Sequence, residues 1–194
     1  MPRIDRASLL TLEAYAKARP QFRAEVLAHK KCRTIPLGAS VTLIFEDELT
    51  IRYQIQEMLR IEKTYEEQGI QDELDAYNPL VPDGTNWKAT MLIEFPDAEE
   101  RKRELARLRG LEHDVWVQAD GGARVTAIAD EDMERSNDEK TSAVHFLRFE
   151  LPLPMRAALR NGAKLAMGID HPAYQAHEVV DDVIRAALVQ DLGA

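Results

Sequence analysis

VTLIFEDELTIRYQIQEMLRIE, residues 41–62, changes its hydrophobic period once, and that change decides the fold class. Up to Glu46 the residues alternate. Val41, Leu43 and Phe45 share one face and Thr42, Ile44 and Glu46 the other, which is the pattern of a strand. After Asp47 the apolar spacing lengthens to three and four, which predicts a helix over about residues 48–67, stopped by Gly69. A strand followed by a long helix recurs only irregularly elsewhere, so regular βαβ alternation is not expected.

Working outward, Asp5 is positioned to cap a first helix carrying Leu9, Leu10, Leu12 and Tyr15, and Pro20 to open a second segment with Phe22, Val26 and Leu27. LGAS (37–40) is a turn. IQDELDAY (70–77) is a short helix ending before Pro79, and LVPDGTN (80–86) is a loop rich in turn residues. WKATMLIEF (87–95) is a strand, and Asp97 begins a charged helix closed by Gly110. HDVWVQA and ARVTAIA flank a DGG turn at 120–122, a hairpin signal. The polar run DEDMERSNDEK (130–140) reads as a solvated, mobile loop, and SAVHFLRFEL (142–151) as a strand broken by Pro152 and Pro154. MRAALRNG is a short helix, AKLAMGI a strand, HPAYQA a turn or helix start, and HEVVDDVIRAALVQDLG a final amphipathic helix. The expectation is an α+β fold: a largely antiparallel sheet of about six strands covered by helices, in a single domain of residues 1–194, with a helical part at about 5–31 and a sheet-and-helix body from 33 onward.

The balance of 45% hydrophobic and 30% charged residues supplies a real core. No apolar run reaches the length of a membrane span, and MPRIDRASLL lacks the apolar stretch of a signal peptide, so no membrane partner and a cytoplasmic location are expected. A net charge of -9 argues against a nucleic-acid partner. Cys32 alone makes neither a disulfide nor a thiolate metal site. It does sit within HKKCR (29–33), where basic neighbours either activate the thiol or simply complement a helix C-terminus.

The helix at 48–67 raises a chemical question. At roughly 100° per residue, Ile51, Ile55, Met58, Leu59, Ile61 and Tyr65 form a stripe about 160° wide. Glu62 falls near its middle, Gln54 inside its edge, Glu57 on its flank and Arg60 on the wet face. A carboxylate turned inward needs a partner, a metal or a proton. Glu62 is therefore read three ways: an ion pair with an arginine such as Arg148, part of a ligand or catalytic site, or a side chain lying past the edge of the core.

Other residues offer chemistry more weakly. His145 shares a strand face with Leu147, Phe149 and Leu151, where a histidine is either a satisfied core residue or a ligand. His171 and His177 are a candidate metal pair without a strict motif. Glu46, Glu94 and Glu150 stand near strand ends, either at a cleft or on a rim. No phosphate-binding loop, nucleophile elbow or CxxC is present, so no cofactor is assigned and enzyme status stays open.

The stretch from HKKCR through FEDELTIRYQIQEMLRIE to ELDAYNPLVPDGTNWKATMLIE resembles a bacterial family known as domain of unknown function 3501, and looser likeness continues through LRGLEHDVWV, SAVHFLRFEL and LVQDL. That resemblance implies no defined activity. It implies a setting in oxidative stress or iron and redox handling, with a rubrerythrin-like or cysteine-rich iron–sulfur protein as partner. The polar residues within the resembling block are Glu46, Gln54, Glu57, Arg60, Glu62, Glu73, Tyr77 and Asn78.

Two functions follow. One is a non-catalytic accessory protein of such a redox system. The other is a metal-binding protein or enzyme with a carboxylate-rich pocket on the 48–67 helix, where Glu62 and Glu46 converge with Glu57, Glu94 or His145. The amphipathic terminal helices fit a homodimer interface or packing on the chain's own sheet.

Overall fold

The computed structural model describes residues 4–131, 133, 135–137 and 139–193. The fold is α+β, but the strands form two antiparallel sheets rather than one sheet of about six strands. The first contains β1 (Thr34–Leu37), β2 (Val41–Glu46), β3 (Asn86–Ile93), β7 (Val144–Glu150) and β6 (Ile128–Ala129), in that order. The second contains β5 (Val125–Thr126), β4 (Val115–Ala119), β8 (Leu165–His171) and β9 (Tyr174–Val179).

The alternation seen in the sequence explains the packing. Leu43, Phe45, Trp87, Met91, Leu147 and Phe149 on the first sheet meet Val115, Val117, Leu165, Met167 and Ile169 on the second in one core. Two devices join the sheets. Between β5 and β6, Ala127 donates its backbone N–H to the Val115 carbonyl, so one short stretch passes from sheet to sheet. At the opposite edges the Tyr174 hydroxyl donates to the Leu37 carbonyl at 2.6 Å and accepts from the Ser40 N–H at 3.1 Å. Gly38 at φ +73° permits that approach, since a Cβ there would lie 2.6 Å from the Tyr174 oxygen.

The helices depart from expectation in ways that capping explains. Asp5 caps only a 3-10 turn (Arg6–Ser8), and Thr11 caps α1, which runs unbroken over Leu12–Lys31. Pro20 lies inside it. Its missing N–H strands the carbonyl of Ala16, which is exposed and open to water. Asp47 and Thr50 form a reciprocal capping box that starts α2 (Glu48–Glu62). The helix stops at 62, not 67, because Lys63 adopts a left-handed conformation (φ 56°). Gly69 lies within α3 (Glu67–Tyr77).

β1 was not expected: it is four residues long and holds a proline, which an edge strand tolerates. HPAYQA supplies the end of β8, a turn and the first half of β9 instead of opening a helix, because β8 offers Tyr174–Val179 a ladder. α4 is Ala98–Arg107, and α5 (Leu153–Arg160) begins at the prolines rather than after them. α6 (Asp182–Val189) is much shorter than the expected terminal helix. At Asp132, Glu134 and Asp138 the mobile-loop expectation lies outside the described residues.

α2 and α3 share a second apolar cluster, Ile51, Ile55, Leu59, Ile70 and Leu74, with Ile4 and Leu9. Gln56 secures the approach chain there, accepting from the Leu10 N–H at 2.7 Å and donating to its carbonyl at 3.3 Å. α1 is joined to α2 through Glu57, which accepts from the Tyr15 hydroxyl at 2.7 Å and twice from Arg19 at 2.7 and 2.8 Å. No helix among the described residues is long and apolar enough to cross a membrane.

The C-terminal segment is tied in by a buried charge cluster. Arg33 donates two hydrogen bonds to Asp191 at 2.8 and 2.6 Å, and its Nε lies 3.0 Å from the Asp47 carboxylate. His29 Nε2 meets the same Asp47 oxygen at 2.5 Å. Burial would raise the Asp47 carboxyl, but the Arg33 charge, the Thr50 N–H and His29 together hold it below its ordinary range. Asp191→Asn is expected to cost about 3–5 kcal/mol in urea unfolding, by leaving Arg33 buried and underpaired, whereas Arg33→Met with Asp191→Leu costs less than that single change.

A second prediction concerns Glu57. Arg19 holds its carboxyl at about 2 against the opposition of burial, with help from Tyr15 and Arg60. The unfolded carboxyl titrates near ~4.3, so between these values the unfolded chain binds more protons. The Glu57 contribution to stability is complete above that range and disappears as pH falls toward 2. Urea midpoints of wild type and Glu57→Gln should differ most at neutral pH and converge at pH 2.

Candidate metal centre

His145 lies on the inward face of β7, and its side chain is 0% exposed. A buried imidazole needs partners for both ring nitrogens. Nδ1 contacts Asp130 Oδ2 at 2.6 Å. Nε2 lies 2.8 Å from Thr141 Oγ1, 3.1 Å from the Ser142 carbonyl and 3.9 Å from Glu112 Oε2. Ligand atoms of Glu112, Asp130 and His145 all lie within 4.8 Å of one another.

Local backbone geometry aims each member inward. Glu112 sits in a 3-10 turn (Leu111–His113) after α4, entered through Gly110 at φ 88°. Asp130 follows β6 in the left-handed region (φ 52°), which aspartate tolerates better than most residues. Its N–H donates to the Phe146 carbonyl at 2.8 Å, and its Oδ1 accepts from the Phe146 N–H at 3.0 Å. The carboxylate thus extends the β6–β7 ladder and keeps its other oxygen for His145. Thr141 is fixed to the end of α4 by its N–H, which donates to the Leu105 carbonyl at 3.1 Å. Arg135 lies over the Phe146 ring at 4.6 Å, with Nη1 3.7 Å from Asp130 Oδ1.

Glu112 is 2% exposed. It accepts from Thr141 Oγ1 at 3.0 Å and from Ser136 Oγ. Burial would raise its carboxyl, but the Ser136 hydroxyl, its own backbone N–H, the His145 ring and Thr141 hold it below the ordinary carboxylate range. An ionised carboxylate facing an imidazole nitrogen across 3.9 Å, with a second carboxylate on the far ring nitrogen, is the carboxylate–histidine arrangement of metal sites. Two ligands about 2.1 Å from one ion stand roughly 3–4 Å apart, so this pair needs little movement. With no thiolate in the set, the donors suit Zn²⁺, Mn²⁺ or Fe²⁺ rather than Cu⁺ or an iron–sulfur cluster.

Of the residues marked in the sequence, His145 alone stands here. Glu62 is exposed: its helix ends at that residue, and Ile61 and Tyr65, which helped define the stripe, are exposed too. Arg148 pairs with Glu131 and Glu150 instead. Gln54 is half-buried, and Gln56 is the amide facing inward. Glu57 and Arg60 belong to the α1–α2 contact. Glu73 on α3 is half-buried, its carboxyl raised by burial and by the charges of Glu62 and Asp72, and Tyr77 packs on the second apolar cluster. Glu94 is exposed near Thr42. Glu46 is buried, with one oxygen accepting from Thr90 at 2.6 Å and the other without a partner among the described residues. His171 is occupied by backbone groups, the Arg109 carbonyl and the Ala173 N–H, while His177 stacks on Trp116, so they form no shared site.

Glu112 and Asp130 escaped the sequence reading. Glu112 lies in an irregular turn, and Asp130 opens the polar run read as solvated. The usable signal was His145 itself: an imidazole on an apolar strand face, fifteen residues after an acidic segment, requires acids brought to it.

The family described as "Protein of unknown function (DUF3501)" matches residues 3–192. A crystal structure at 1.90 Å of a novel protein of unknown function from Burkholderia pseudomallei is similar, at 55% identity and TM-score 0.94, over 99% of this chain and 100% of that one. None of the curated proteins matches. With nearly its whole length matched, the chain belongs to the DUF3501 family.

Proposed function

We propose that this protein binds a divalent first-row transition metal, with His145 Nε2 and the Glu112 carboxylate as ligands. Asp130 orients the ring through Nδ1, and the Thr141 hydroxyl lies between the two ligands. The observation that carries this reading is a fully buried histidine with a carboxylate on each side. Thr141 Oγ1, 2.8 Å from Nε2 and 3.0 Å from Glu112, holds the two groups together without an ion and can turn aside for one. The near-total burial of Glu112, Thr141 and His145 admits an ion more readily than an organic substrate, which favours a metal-binding accessory role over catalysis. Iron or manganese would agree with the oxidative-stress setting and rubrerythrin-like partner that the family resemblance implies.

The test is metal content by mass spectrometry after purification without chelators, in air and anaerobically, and after reconstitution with Fe²⁺, Mn²⁺ or Zn²⁺. Near-stoichiometric metal is expected, with retention lost in His145→Ala and Glu112→Gln variants that keep their circular dichroism. Asp130→Asn should retain a site weakened by about 10- to 100-fold, as expected for a group that orients a ligand. Metal-free protein under every condition would reduce the cluster to a structural hydrogen-bond network.

A further inference from the structure

The next residue of β7 points the other way. Phe146 lines a cleft of about 280 Å³ on the outer face of the first sheet, walled by Pro79 and Leu80 and bordered by Lys88, Glu131 and Arg148. Two cations meet here on adjacent strands, since Lys88 of β3 pairs in register with Arg148 of β7. Like charges directly opposite destabilise a sheet unless they are neutralised. Arg148 is neutralised: its Nε and Nη2 donate to Glu131 at 2.7 and 2.8 Å, and its Nη1 donates to Glu150 at 2.5 Å. Lys88 is half-buried and has no direct hydrogen bond or ion pair among the described residues, although the carboxylates of Glu131, Asp83 and Glu150 stand near enough to act on its charge. Glu46, its register partner on β2, turns to Thr90 instead.

We propose that Lys88 is a carbonyl-reactive lysine whose cleft admits a small apolar aldehyde or ketone. The neutral Nζ attacks the carbonyl carbon. The resulting carbinolamine loses the carbonyl oxygen, together with the two amine hydrogens, as water and leaves an imine. No oxidant or reductant takes part, and hydrolysis reverses the step. The apolar walls match the body of such a molecule, and the arginine alongside is already paired, so it does not draw the ligand's oxygen away from Lys88. Burial, and then the charge of Arg148, also lower the affinity of this amine for its proton, and they outweigh the opposing charges of Glu131, Asp83 and Glu150. A lysine desolvated in an apolar pocket beside a second cation is the arrangement that makes a nucleophile of an otherwise protonated side chain.

The test uses the intact protein, benzaldehyde as probe and cyanoborohydride to trap the imine, with labelled peptides quantified by mass spectrometry. Lys88 is expected to be labelled at least ten-fold faster than the exposed Lys17 and Lys63, and the preference should vanish in urea. Formaldehyde, too small to use the walls, should show a weaker preference for Lys88. Labelling of Lys88 at the rate of the surface lysines would overturn the proposal. So would an equal preference with both aldehydes, which would leave a reactive amine without a binding cleft. Lys88→Arg, which keeps the charge, should abolish labelling within the cleft while leaving the other sites unchanged.

Discussion

The Arg33–Asp191 pair is the constraint on which the arrangement of the layers depends. Arg33 is 3% exposed and stands where α1 gives way to β1. A guanidinium at that depth demands carboxylates, and it recruits them from two distant places: the cap of α2 and the segment after α6. One side chain therefore fixes the direction in which α1 leaves the sheet, where α2 starts and where the C-terminal segment lies. The indole of Trp87 supports the same closure by donating to the Leu188 carbonyl at 2.9 Å.

β7 carries both proposed sites, one on each side. Consecutive residues of a strand face opposite ways, so His145 enters the interior and Phe146 the outer cleft. Asp130 braces both, through the His145 ring and the Phe146 backbone. Arg135 covers the same Phe146 ring. A shift of the segment from Asp130 to Thr141 would accordingly be felt on both faces at once, although the two sites use different residues and different chemistry.

Period and capping were legible in the sequence wherever they agreed. β2, β3, β7 and β8 are alternating runs, and Asp97 caps α4 as its position indicated. What misled was the assumption that a pattern continues until an obvious stop. Lys63 ends α2 by adopting a conformation that lysine seldom takes, and this removes Glu62 from the interior. HPAYQA lacks strong alternation, and its second half becomes part of β9 because β8 supplies the partners. The site was legible by half: the buried face of β7 implied a histidine in need of partners, but the acids that answer it come from a turn and a loop, whose paths depend on tertiary contacts rather than on local period.

The ion pair between Arg33 and Asp191 spans 158 positions of chain, and this bears on how the molecule reaches its native state. Contacts so far apart form slowly, because loop-closure entropy is lost before they stabilise anything. Until the segment from α6 onward docks, Arg33 lacks its bidentate acceptor, the Trp87 indole has no carbonyl, and the Gly84 carbonyl lacks the Gly193 N–H. The half-assembled chain forgoes a partner at three polar groups, and at the Trp87 indole it forgoes the carbonyl that the native fold provides. An eight-residue helix that would fray in isolation is thus bound into the same cooperative unit as the sheets, and its opening is expected to track global unfolding rather than precede it.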